Sequence, residues 1–324
     1  MSIRRRLALV GLAFAGLNLY ARRAVRRFEN LDLETPEAPG SYLDVDGVRL
    51  HYVEAGTGEP VVMLHGLNAS TYSFRYAIPE LAQSNRAVAL DLKGFGYSER
   101  PRDSDYSLTA QADLVASAMN RLNIERAAVV GHSMGGDVAM RLALRHPQRV
   151  SRLVLVSSAT DEQMRRGLRA ARILRPFLPI VAVFTTHRTA YQRRALRFAT
   201  HDPAFVTPEV IEYSYRPQRM RGHRRALGAL LVDRARDEPL APERIAAPTL
   251  ILWGEHDRLL PPSQGERLLE RIPNARFVLV PSAGHRPLEE QPGFCNRALL
   301  EFLESREVTA IREPRPVAEA EATS

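Results

Sequence analysis

The chain has one cysteine, Cys295, among 324 residues. A single thiol can neither close an intramolecular disulfide nor build a thiolate metal cluster, which excludes disulfide scaffolds and zinc-finger modules. Cys295 lies in an apolar helical stretch from Phe294 to Leu303, where it reads as a small buried hydrophobe. Lysine is equally scarce, with Lys93 standing alone among the basic residues. The formal charge of +8 would suit a nucleic-acid binder if the arginines followed a recognisable module. They are scattered through helical stretches and both ends, so no specific nucleic-acid partner is expected.

Long apolar runs are also missing near the N-terminus, where location is usually encoded. Arg4-Arg5-Arg6 precede an uncharged, largely apolar run from Leu7 to Tyr20, and Arg22-Arg23 and Arg26-Arg27 follow it. The run falls short of the roughly 17 to 25 residues of a comfortable span, although it fits a signal-peptide core. Bulky Asn18-Leu19-Tyr20 stands where a signal peptidase prefers small residues. Residues 1–28 therefore read as an uncleaved anchor or interfacial helix with arginines at the headgroups, making the chain membrane-associated. The alternatives are an amphipathic helix packed on the rest of the protein, a removed signal peptide, and a cytoplasmic or secreted chain.

What is present is an ordinary globular composition, 45% hydrophobic and 25% charged. After a polar linker over 29–40, short β-runs begin. Ser41 to Val45 and Val48 to Val53 flank Asp46-Gly47, a hairpin signal. Val61 to Leu64, Ala87 to Leu90, Ala127 to Val130 and Leu153 to Val156 then alternate with helical patterns, as in a parallel sheet covered on both faces. From Thr160 to Arg244 the pattern is helical, arginine-rich and broken by Pro176, Pro179, Pro203, Pro208 and Pro217. The β pattern resumes at Thr249 to Trp253 and Phe277 to Val280. The chain thus divides into a core over 41–159 and 245–305, a helical cap over 160–244, and a tail over 306–324 expected to be disordered. The cap's apolar runs, Ile180 to Phe184 and Ala226 to Val232, suit helix packing or the wall of an acyl pocket.

The chemistry concentrates at strand ends. Gly131-His132-Ser133-Met134-Gly135 stands where an apolar strand meets a helix, and its G-x-S-x-G spacing forms a sharp turn that holds the serine out of the sheet. Gly131 and Gly135 leave room where side chains would collide. A serine hydroxyl needs a base, and the base an orienting carboxylate. Gly254-Glu255-His256-Asp257 follows one strand and Ser282-Ala283-Gly284-His285 the next, placing Asp257 and His285 at the sheet edge where such sites collect. Glu255 and His256 compete for the role of Asp257, and Asp161, after an earlier strand, is another possible acid. His65-Gly66 follows Val61 to Leu64. There Gly66 lets the backbone turn so that the amide of Leu67, with that of Met134, can hold an oxyanion, while His65 reads as a brace for the loop.

These segments, together with Asp91-Leu92-Lys93-Gly94-Phe95-Gly96-Tyr97-Ser98, resemble the α/β-hydrolase superfamily, in its cap-bearing serine esterase and lipase-like branch, over residues 41–305. The resemblance implies an α/β fold with a mostly parallel sheet, a Ser133–His285–Asp257 triad, a small-molecule ester as substrate, and chemistry that requires neither metal nor organic cofactor. An N-terminal anchor would favour lipid-derived esters. Haloalkane dehalogenases and epoxide hydrolases place an aspartate where this chain has Ser133. Carbon–carbon bond hydrolysis and cofactor-free haloperoxidase activity are the alternatives within the fold, and a non-catalytic ligand receptor is the alternative outside enzymes.

Overall fold

The computed structural model describes residues 3–33, 38–160 and 189–305. Its frame is one eight-stranded sheet. The hairpin strands β1 (Ser41–Val45) and β2 (Val48–Ala55) are followed by β3 (Glu59–Leu64) and β4 (Asn85–Leu90). Then come β5 (Ala127–His132), β6 (Val150–Val156), β7 (Thr249–Gly254) and β8 (Ala275–Val280). The spatial order is β1-β2-β4-β3-β5-β6-β7-β8; β1, β2 and β4 pair antiparallel and every other pairing is parallel. Asp46 and Gly47 make the β1–β2 turn with φ of 49° and 77°, the left-handed pair that matches strand twist.

Alternate residues of the central strands point to opposite layers. Val62, Leu64, Val88, Leu90 and Val129 join one core layer, while Val61, Met63, Ala87, Ala89 and Val130 join the other. The first layer is closed by α3 (Leu108–Arg121) and α4 (Met134–Arg145), the second by α2 (Ala77–Leu81) and a C-terminal helix, Pro292–Glu304. Burial on both faces explains why these strands read as continuous apolar runs. Cys295 lies inside the second layer, and burial pushes its thiol up to about 12, a chemically inert state.

Past β6 the described chain resumes with α5 (Thr189–Ala199), α6 (Pro208–Tyr215) and α7 (His223–Asp233). Pro208 starts α6 behind Thr207, whose hydroxyl accepts from the Val210 amide at 3.2 Å, so this proline punctuates helices without breaking one. Leu196, Val206, Val210 and Ile211 form a small cluster of their own, whereas Ala226 and Leu230 of α7 join the main core. Asp161, the run Ile180 to Phe184 and the tail over 306–324 lie outside the described residues.

The N-terminal segment corrects the expectation of a membrane-associated chain. It folds as α1 (Ile3–Phe28), but among the described residues no helix is long and apolar enough to cross a membrane. The arginine clusters at both ends cut the apolar stretch short. The C-terminal end of α1 packs on the protein: Ala21 is buried, and the Arg224 guanidinium lies over the Phe28 ring at 4.8 Å. Just beyond the helix, the Glu29 carboxylate accepts from the amides of Gly222 and Arg224, both at 2.9 Å. Leu31 then bridges Met220 in parallel.

Candidate active site

Strand β5 is buried along its whole length and delivers Ser133 directly onto α4. Ser133 takes φ 53° and ψ −117°, a strained conformation for a residue with a side chain. Its amide donates to Val156 O at 2.9 Å, and its carbonyl accepts from Gly136 and Ala159 at 3.0 Å. The turn fits because its flanks are bare: a Cβ on Gly135 would lie 2.1 Å from Leu64 O, and one on Gly131 2.4 Å from Gly135 O.

Two other strand ends converge on the serine. His285, after β8, places Nε2 3.0 Å from Ser133 Oγ and Nδ1 2.7 Å from Asp257 Oδ2. A carboxylate can only accept, so Nδ1 carries the proton and Nε2 is left to accept from the hydroxyl. Asp257 is buried, and its other oxygen accepts from the amides of Leu259 and Leu260, each at 2.9 Å. Glu255 and His256 face each other at 3.5 Å on the exposed side. Neither is bonded to His285.

Across the sheet edge, the loop after β3 lies over the elbow. A Cβ on Gly66 would stand 3.1 Å from Ser133 Cβ. His65 is buried; its Nδ1 donates to Gly66 O at 2.7 Å and its Nε2 accepts from the Leu92 amide at 3.1 Å. Burial lowers the His65 pKa, favouring this neutral, bracing form. Ala69 donates to Gly66 O at 3.2 Å, closing a turn in which Asn68 is left-handed at φ 59°. Leu67 lines the cavity above Ser133, and Met134 opens α4, where first-turn amides have no intrahelical acceptor.

That cavity measures about 400 Å³. Leu67, Tyr72, Tyr191, Leu196, Leu227 and Leu259 give it a mainly apolar wall. Arg286 also lines it, but its guanidinium is held by Glu289 at 2.6 and 3.0 Å and by Ser214 at 3.3 Å.

Residues 59–292 match the family described as alpha/beta hydrolase fold. The chain belongs to this family. It is similar to the 2-hydroxymuconate semialdehyde hydrolase of Pseudomonas sp. (strain CF600), with 30% identity over 87% of this chain and 99% of the relative. Among solved structures it is similar to a meta-cleavage product hydrolase from Pseudomonas fluorescens IP01, with 28% identity, a TM-score of 0.69, and 82% and 97% of the two chains covered. It is also similar to a thermophilic esterase from Thermogutta terrifontis, with 26% identity, a TM-score of 0.68, and 82% and 98% covered.

In this α/β-hydrolase two residues inside the motifs take roles that the sequence alone does not assign. His132 donates from Nε2 to the His285 carbonyl at 2.7 Å, and its ring packs 5.1 Å from that of His285. Burial, with the neighbouring His285, drives the His132 pKa down to about 3, so this brace stays neutral. Asp91 is fully buried beneath the loop of His65. It accepts from His51 Nδ1 at 2.8 Å and from the amides of Thr71 and Tyr97 at 2.7 and 2.8 Å. Burial alone would raise the Asp91 pKa, but these hydrogen bonds and the charge of His51 carry it below the ordinary carboxylate value.

Proposed function

We propose that this α/β-hydrolase is a serine hydrolase that cleaves a small carboxylic ester through an acyl-enzyme on Ser133. The observation that carries the reading is the chain of contacts from Oγ to Nε2 at 3.0 Å and from Nδ1 to Oδ2 at 2.7 Å. His285 takes the Ser133 proton as Oγ attacks the ester carbonyl, and Asp257 stabilises the imidazolium. The amides of Leu67 and Met134 hold the negative charge that develops on the carbonyl oxygen, each contributing a few kcal/mol of transition-state stabilisation. His285 returns the proton to the departing alcohol. Water, deprotonated by the same imidazole, then releases the acid.

The apolar wall supports an uncharged acyl group. Among the described residues of the cavity, Arg286 is the only guanidinium, and it is turned onto Glu289, a carboxylate that it shares with Arg75. A second reading, hydrolysis of a carbon–carbon bond in a diketone, draws support from the similarity to the 2-hydroxymuconate semialdehyde hydrolase. It uses the same serine and histidine. Esters of graded acyl length assayed beside a meta-cleavage diketone separate the two: faster turnover of an ester supports the first, and turnover of the diketone alone supports the second. Ser133→Ala abolishes either activity and fluorophosphonate labelling while leaving the thermal midpoint within a few degrees. Turnover near the wild-type rate in that variant would falsify both readings.

A further inference from the structure

Glu290 has no part in the chemistry just described, yet its carboxylate accepts three main-chain hydrogen bonds. Oε1 takes the amides of Gly284 and Arg286, at 3.0 and 3.3 Å, which flank His285 in the chain. Oε2 takes the amide of His201, just past the end of α5, at 2.6 Å. The His285 amide itself donates to the carbonyl of Ala199, the last residue of α5, at 2.7 Å. Every N–H from 284 to 286 is therefore fixed by one carboxylate and one carbonyl of the 199–201 segment. The approach is too close for a side chain, since a Cβ on Gly284 would stand 2.7 Å from Ala199 O and 2.8 Å from His201 N.

The same segment reaches the acid as well. The His201 ring stacks on His256, one residue before Asp257, with centroids 4.0 Å apart and planes within 17°. On its other side α5 lines the cavity through Tyr191, Ala195, Leu196 and Ala199. A strap of three residues thus joins the wall of the cavity to the loops that carry His285 and Asp257. Packing alone would not require a carboxylate at its centre, because burial raises the pKa of Glu290 and works against the charge that the amides stabilise.

We propose that Glu290 is a positioning residue for His285: its carboxylate holds the backbone on both sides of the histidine and ties it to His201, aiming the imidazole at Ser133. The proposal rests on the reading of Ser133 and His285 as nucleophile and base. Misplacement of a reacting group by about 1 Å can cost on the order of a hundredfold in rate.

Glu290→Gln tests it with little change of shape. The single glutamine oxygen can keep Gly284 and Arg286, but the amide nitrogen then meets the His201 N–H donor to donor. In the full chain, kcat for p-nitrophenyl butyrate falls about 10- to 100-fold while KM stays within about threefold. Phosphonylation of Ser133 by a fluorophosphonate slows by a similar factor, and the thermal midpoint moves by a few degrees at most. Glu290→Asp, one methylene too short to span both partners, lowers kcat in the same way by a smaller factor and decides the question where the glutamine variant does not fold. Wild-type kcat in either folded variant, or a loss confined to KM, overturns the proposal. Failure of the underlying reading looks different, because the wild-type protein would then neither hydrolyse the butyrate nor take up the fluorophosphonate.

Discussion

Asp257 divides its two oxygens between different partners. Oδ1 accepts from the amides of Leu259 and Leu260, and Oδ2 faces His285 Nδ1 at 2.7 Å. An asparagine at this position must keep its oxygen on the two amides, which turns its NH2 group toward Nδ1. His285 would then have to carry its proton on Nε2, where it cannot accept from Ser133. Asp257→Asn is accordingly expected to lower kcat by about 10⁴-fold in a folded protein. An ester assay with a thermal melt checks this, and a loss smaller than tenfold would remove Asp257 from the proposed role. The strand-end positions of Ser133, Asp257 and His285 were legible in the sequence because each follows a short apolar run of strand length. The roles of Glu290 and His132 were not, since they act through backbone amides and carbonyls whose positions depend on the tertiary fold.

The elements differ in how far local pattern decides them. β3 to β8 follow from short apolar runs, and their ends differ from the expected ones by only a few residues. The N-terminal segment is harder, because arginines around an apolar run suit a bilayer headgroup and a protein surface equally well. The deciding contacts, from Glu29 to Gly222 and Arg224, come from 193 and 195 residues away. Helix α7 is capped by the preceding Gly222, which is left-handed at φ 87° and offers no side chain to its first turn. The Glu29 carboxylate fills that gap by accepting from the amides of Gly222 and Arg224, and it also meets the Arg224 guanidinium at 3.2 Å. An anion here serves α7 as a cap and dipole partner borrowed from another part of the chain. Glu29→Ala is expected to weaken this docking by about 1–2 kcal/mol. Trypsin should then cut at Arg26 and Arg27 about tenfold faster, while the ester activity changes little. An unchanged cleavage rate would show that α1 is held by other contacts.

For the molecule as a whole, buried histidines set the response to acid. His65, His132 and His223 are all buried, and burial pushes each pKa below its ordinary value, that of His132 to about 3. In the unfolded chain each titrates near 6.5. Below that value the unfolded state binds more protons than the folded one, so the contribution of each histidine is fully present above about pH 6.5 and is lost as acid is added. Asp91, whose folded pKa is lowered, adds its loss only below about pH 4. Glu290 runs the other way, because its raised pKa lets the folded protein take up a proton first. With three groups against one, the urea midpoint should drop steadily from pH 7 to pH 5. His223 packs edge-on against Phe95 with ring centroids 6.1 Å apart, and its Nδ1 has no hydrogen-bond partner. His223→Leu should therefore keep the fold and make the pH slope shallower. A urea midpoint that stays flat over this range, or a slope unchanged in the variant, would mean that these imidazoles titrate alike in the folded and unfolded chains.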